Sequence, residues 1–333
     1  MRNELSGTSV AKIGESRKNI FGKFFRSEKT YINVLALGIV LFIIFSLVVP
    51  KFFNLVNMFN LARRSSVNII IAIGMTILLL CGQFDLSVPG NISLTAMIMA
   101  MMLKVGMPIS LCVIFPLLLG SIIGLINGYF STRLPSFIVT LGMLSITSGL
   151  SLFVTNSRVI HDLPESFLII GRIEIFGFPI SAVYALIIMV AAIIVTKFIV
   201  FGRHLYAIGG NKVVARRSGI PVNLRIVQSF IIMGFLSSFT ALIIVTRVNA
   251  AHPVMQTDAA LEAIAAAVIG GTSLYGGRGH VFGSFIGALI ITMLANVFTL
   301  MAFHTSLQRV ILGVILIGVI IVDYYKQKRR ILR

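Results

Sequence analysis

Long apolar stretches separated by short polar ones run through almost the whole chain. Apolar runs cover about residues 31–49, 67–82, 91–104, 109–126, 135–154, 180–200, 227–246, 261–275, 281–301 and 307–324. Most can cross a hydrocarbon layer of roughly 30 Å as single helices. The pattern therefore predicts an all-α, polytopic membrane protein with about ten transmembrane helices. Two of the regions, 67–104 and 261–301, are broken by glycine, and non-helical backbone at membrane depth is tolerated only where it faces protein or a water-filled cavity. They are expected to hold discontinuous or short segments. The first break is Gly82-Gln83-Phe84-Asp85-Leu86-Ser87-Val88-Pro89-Gly90, and the second contains Gly270, Gly271, Gly276 and Gly277. Interruptions at corresponding places in the two halves are a mark of repeat-built transporters. Pro89 suits the first turn of a helix starting near Gly90, with Asp85 or Ser87 as its cap or as a charge at the membrane surface. Gly120, Gly124 and Gly128, like Gly283 and Gly287, recur every four residues, a spacing that lets a second helix approach closely.

One long polar island, residues 201–221, separates the two apolar halves. Gly209, Gly210 and Asn211 suit a turn, and Asn211 or the glycine before it can cap a short helix from Lys212 to Arg217 that Gly219 and Pro221 stop. A turn, a short basic helix and a second turn on the membrane surface would fit a groove in a partner protein. An ordinary positive loop reads the same way by charge alone.

With 57% hydrophobic and 11% charged residues, the chain has too few charges to cover a soluble globule. The net charge of +18 reflects lysine and arginine placed between apolar runs, so orientation in a bilayer accounts for it before nucleic acid does. Of the 28 basic residues, 20 fall in the two tails (1–30 and 326–333) and the alternate loops, including 201–221, so both termini are expected in the cytoplasm. No apolar core with a cleavage site precedes residue 31, so the first run is read as a retained helix. The single membrane domain would span 31–325, and its longest external loop, 155–179, offers mixed charges suited to a soluble partner or simply to solvent.

None of the ten acidic residues lies in the centre of a predicted span, which counts against a proton- or sodium-coupled carrier and against an enzyme using paired carboxylates. The five histidines are scattered, and Cys81 and Cys112 have no CxxC spacing, so no metal site or disulfide framework is expected. The chain has no GxxxxGK[ST] motif, so ATP and its magnesium would have to sit on another chain, with no cofactor bound here. The polar residues at membrane depth are uncharged, among them Asn68, Asn91, Ser93, Thr140 and Asn296, with Phe137 and Phe239 nearby. Amides, hydroxyls and aromatic faces suit a neutral hydroxylated solute, and equally suit helix packing.

The run Phe201 to Asn211, continuing Ala215-Arg216-Arg217-Ser218-Gly219-Ile220, resembles the cytoplasmic signature of ribose-type permease subunits of ATP-binding-cassette importers. Ala263 to Leu274 with Gly276-Gly277-Arg278-Gly279 and Gly283, Asp85-Leu86-Ser87-Val88, and Pro135 to Gly142 resemble further hallmarks, in the expected order from about 60 to 324. The resemblance implies a type II-like permease of the bacterial inner membrane, paired with itself or a sister permease. It implies a cytoplasmic ATPase with two nucleotide-binding modules and a periplasmic sugar-binding protein. Arg203, Gly209, Gly210, Asn211, Ala215, Arg216, Arg217 and Gly219 would then form the coupling segment, and the cargo would be a small neutral sugar. A nucleoside or a sugar-like furanose signal is the alternative within that class, and a stand-alone secondary transporter is the alternative outside it. Gln83-Phe84, Pro89 and Arg217 depart from the usual family residues, the first two near the expected path.

Overall fold

The computed structural model describes residues 32–175 and 177–331. The amino-terminal basic tail lies outside the described residues. Thirteen helices follow in order among the described residues: α1 (Ile32–Val48), α2 (Leu55–Leu80), α3 (Val88–Lys104), α4 (Ile109–Ser131), α5 (Ser136–Val154), α6 (Glu165–Arg172), α7 (Ile180–Lys197), α8 (Val200–Gly210), α9 (Lys212–Arg217), α10 (Val222–Val248), α11 (Ala259–Ile269), α12 (Val281–Leu300) and α13 (Thr305–Ile331). Six of them, α2, α4, α5, α7, α10 and α12, are long and apolar enough to cross a membrane, while α1, α3 and α11 are shorter apolar helices. Four two-residue strands, β1 (Ile160–His161), β2 (Glu174–Ile175), β3 (Phe178–Pro179) and β4 (Ala250–Ala251), pair antiparallel as β1 with β4 and β2 with β3.

The core is built around α2 and α10. Their most apolar windows are 83% and 78% buried, against 22–28% for α4, α5 and α7, whose outward faces carry leucine, isoleucine and phenylalanine. Helices apolar on every side are what a bilayer permits, because lipid replaces water around the outer ones. The α4–α10 contact is set by the glycines at four-residue spacing. A Cβ on Gly120 would lie 2.7 Å from the Gly234 carbonyl oxygen, one on Gly124 2.2 Å from that of Phe230, and one on Gly128 2.7 Å from Val227 Cα. Gly283 and Gly287 do the same for α12 against Gly270 and Ala266. Both expected glycine faces are thus helix-packing faces.

Several boundaries differ from the hydropathy reading. α2 starts at Leu55 rather than 67, because Arg63 and Arg64 interrupt the apolar run without interrupting the helix, and Arg63 pairs with Glu174 of β2. α11 stops at Ile269, so the second break begins at Gly270 and the 261–275 run is not one helix. The segment Gly209–Gly210 is the last turn of α8, not a turn between elements. Ser87 occupies the N-cap position of α3 but makes no side-chain cap bond, and Pro89 falls in the first turn. Asp85 is buried, not at a surface. Its Oδ1 accepts the Ser87 N–H at 2.7 Å and the Ser87 hydroxyl at 2.6 Å, and Asn127 Nδ2 donates to its Oδ2 at 3.4 Å. α13 continues through Ile331, across the segment read as a basic tail.

Candidate functional site

The residues that distinguish this bundle gather at the end carrying α8 and α9. α9 is a six-residue helix, too short to hold itself by propensity. Asn211 holds its start: the backbone there is extended, and Oδ1 accepts the N–H groups of Val213 and Val214, each at 3.0 Å. Its other end closes with Gly219 at φ +80°, whose N–H reaches the Arg216 carbonyl, while the Ile220 N–H returns to Ala215. Ala215 is the face turned inward. Lys212, Val213, Val214, Arg216 and Arg217 face solvent, as does Arg203 on α8. Exposed valines at 62% and 56%, ringed by cations, make an apolar spot with a basic rim.

Behind this helix, three chain segments meet backbone to backbone. A Cβ on Gly209 would lie 2.1 Å from the Leu80 carbonyl oxygen and 2.2 Å from Gly277 N. One on Gly276 would lie 2.8 Å from Gly209 Cα and 2.9 Å from Gly82 N, and one on Gly277 2.8 Å from Gly210 N. Gly82, Gly276 and Gly277 all have φ between +71° and +87°, the left-handed region glycine occupies without strain. The Gly277 N–H donates to the Leu80 carbonyl at 3.0 Å, and the Tyr206 hydroxyl on α8 donates to the Gly279 carbonyl at 2.8 Å. Burial pushes the Tyr206 phenol up to about 12, so it stays a neutral donor. The glycine-bearing breaks after α2 and after α11 therefore touch one another and the element leading into α9. Deeper in the second break, Thr272 Oγ1 lies 3.3 Å from Ser284 Oγ, and Thr76 on α2 donates to that same oxygen at 2.7 Å.

The residues expected along a solute path take part in several separate helix contacts. Asn68 donates to Thr292 at 3.1 Å, and Asn296 exchanges amide bonds with Asn57 at 2.9 and 3.1 Å, both joining α2 to α12. Asn91 lies buried between α4 and α10, with Nδ2 3.3 Å from the Gly234 carbonyl. Ser93 accepts the Met255 N–H at 2.9 Å, and Thr140 donates to Ser136 one turn back at 2.8 Å. Phe239 stacks on Phe235, and half-exposed Phe137 meets the edge of Phe84. Gly82, Tyr206, Lys212, Val213 and Val214, which sequence reading placed in the first break or the polar island without giving them a site role, prove central to the basic end. An open pocket of ≈ 470 Å³ lies there too, walled by Gly82, Gln83, Phe84, Ser131, Phe137 and Lys212. Among the described residues no cluster of histidine, cysteine and carboxylate side chains could hold a metal.

A bundle of bilayer-length helices, broken twice and carrying a capped basic helix on one end, is the architecture of a multi-pass membrane protein. The chain belongs to the permease family described as "Branched-chain amino acid transport system / permease component", whose profile matches residues 57–320. It is 34% identical to the ribose import permease protein of Haemophilus influenzae over 331 residues, 98% of each chain. It is 35% identical to the ribose import permease protein of Bacillus subtilis over 86% of this chain and 90% of that one. It is 31% identical to the D-allose transport system permease protein of Escherichia coli over 95% and 98%. No solved structure matches it.

Proposed function

We propose that this chain is the membrane-spanning permease subunit of an ATP-binding-cassette importer of the bacterial inner membrane, and that it admits a small neutral sugar. ATP and magnesium bind a separate cytoplasmic ATPase with two nucleotide-binding modules. A periplasmic sugar-binding protein delivers cargo, and a second copy or sister permease completes the path. The chain itself performs no catalysis. α1, α3, α11 and α13 join the six long helices to make ten crossings with both ends in the cytoplasm. The observation that carries this reading is the seat of α9. A capped helix with exposed valines and arginines rests, through Gly209, on both helix breaks, so a push on it from outside the membrane reaches both at once.

The cargo class follows from two supports. Relatives covering nearly the whole chain are named for ribose and D-allose. The polar residues singled out at membrane depth are uncharged, whereas an amino acid brings an ammonium and a carboxylate that require counter-charges. The family description, which names branched-chain amino acids, makes labelled leucine the fitting competitor to labelled ribose in an uptake assay.

The test is reconstitution of the permease with the ATPase that copurifies from mild detergent. Reversing Arg216 and Arg217 to glutamate is expected to cut ATP-driven sugar uptake by about tenfold or more while leaving membrane insertion intact. Wild-type uptake and cargo-stimulated ATP hydrolysis in that variant would refute the coupling role.

A further inference from the structure

We infer that the pocket beside α9 receives an acidic side chain of the same cytoplasmic protein that seats α9, giving that protein a second grip on the membrane bundle. The inference rests on the reading of α9 as a docking element and adds the α4–α5 turn to it.

Four observations converge. First, the pocket carries positive charge: Lys212 and Arg133 both line it. Arg133 lies over the Tyr129 ring at 4.2 Å, which holds its guanidinium in place without neutralising it. Second, the 19-residue helix α5 begins at the pocket with Pro135 at its N-cap and no side chain capping it, so its positive dipole end opens there. Third, Ser131, only 3% exposed, lines the pocket, and its hydroxyl finds no hydrogen-bond partner in the protein. A buried hydroxyl left unpaired is costly unless something arrives to meet it.

Fourth, among the described residues no carboxylate answers these groups. The two ion pairs among the described residues, Arg63–Glu174 and Arg309–Asp258, involve neither pocket cation, and Asp85 is already held by Ser87 and Asn127. A carboxylate is therefore the complementary guest: two acceptor oxygens for Ser131 and the α5 end, and a charge for Lys212 and Arg133. The geometry also gives the contact a consequence. Gly82 is at once a wall of the pocket and a neighbour of Gly276, so a side chain seated there bears on the first break without passing through α9.

The experiment uses the full permease in lipid nanodiscs and the ATPase that copurifies with it, measuring the fraction of ATPase retained as sodium chloride is raised. Arg133→Glu is expected to weaken retention about tenfold, Arg133→Ala less, and Arg133→Lys to hold near wild type. Lys212→Ala is expected to weaken retention and to be less than additive with Arg133→Ala, because both face one guest. Four outcomes overturn the proposal. Retention unchanged in Arg133→Glu removes the contact, and loss in Arg133→Lys equal to that in Arg133→Glu makes it one of shape, not charge. A lipid headgroup is the guest if the variants differ only in phosphatidylglycerol discs and agree in phosphatidylcholine discs. If no ATPase accompanies even the wild-type chain, the functional reading itself falls, a result distinct from wild-type binding with indifferent Arg133 variants.

Discussion

Two neighbouring glycines offer a sharp test of the junction, because they share a helix end and differ only in what surrounds them. Alanine at Gly209 would set a methyl group 2.1 and 2.2 Å from two backbone atoms, Leu80 O and Gly277 N, where nothing closer than 3.0 Å is normally tolerated. Backbone cannot swing aside as a side chain would, so α8 must withdraw by about 1 Å from both breaks. That withdrawal stretches the 2.8 Å Tyr206–Gly279 bond, and whatever part of the methyl stays in the junction wedges apart the 3.0 Å bond from Gly277 N–H to Leu80 O. Overpacking costs about 1–3 kcal/mol. A buried backbone pair left half-made costs about 1–3 kcal/mol more. Gly209→Ala should therefore destabilise the fold by roughly 2–6 kcal/mol, or hold it in a displaced arrangement with coupling lost. Gly210 has nothing within 4 Å of its would-be Cβ, and its backbone is helical. Alanine there should be neutral or stabilising by up to about 1 kcal/mol. The assay pairs thermal unfolding of the purified permease with ATP-driven uptake in proteoliposomes. Equal behaviour of the two variants, or wild-type stability and uptake in Gly209→Ala, would refute the junction.

The other predictions are more local. Asn211→Ala removes the acceptor for two N–H groups and should cost α9 about 1 kcal/mol, lowering ATPase retention, while Asn211→Asp or Asn211→Ser should keep most of it. Gly124→Ala should lower the unfolding temperature because its Cβ would meet the Phe230 carbonyl at 2.2 Å, whereas Gly149→Ala, with nothing within 4 Å, should not. His280 is held below the usual imidazole range, by burial first and then by the charge of Lys197. The folded chain thus binds this proton less readily than the unfolded chain, so His280's contribution is fully present above the ordinary value of 6.5 and is lost as pH falls below it toward the folded value. The unfolding temperature should drop less steeply from pH 7.5 to 5 in His280→Gln than in wild type.

Most of the bundle was legible because bilayer physics is simple: long uncharged runs must be helices, and paired glycine breaks must sit against protein. The short helix Lys212–Arg217 was legible to its ends because capping is local chemistry, carried by Asn211 before it and Gly219 after it. Boundaries failed where charge and helix propensity part company. Arg63 and Arg64 end an apolar window but cost a helix little when their heads reach water or a carboxylate, so α2 extends past them to Leu55. Asp85 failed for the opposite reason: a lone carboxylate near a helix start reads as a cap, but tertiary contacts bury it with Ser87 and Asn127.

The glycines mark the deeper boundary between what sequence and structure disclose. Gly209 and Gly210 read alike in the chain, as a flexible pair suited to a turn, and both are helical. Glycine serves a turn through positive φ, as at Gly276 and Gly277, and serves packing through its missing Cβ, as at Gly209. Only the identity of the facing atoms separates these uses, and at Gly209 they belong to residues 80 and 277, from opposite halves of the sequence. A contact between segments so far apart leaves no periodicity to read. Yet it is this contact that makes the basic helix more than a positive loop: without it α9 would rest only on α8 and the start of α10, and a force applied there would have no direct route to either break.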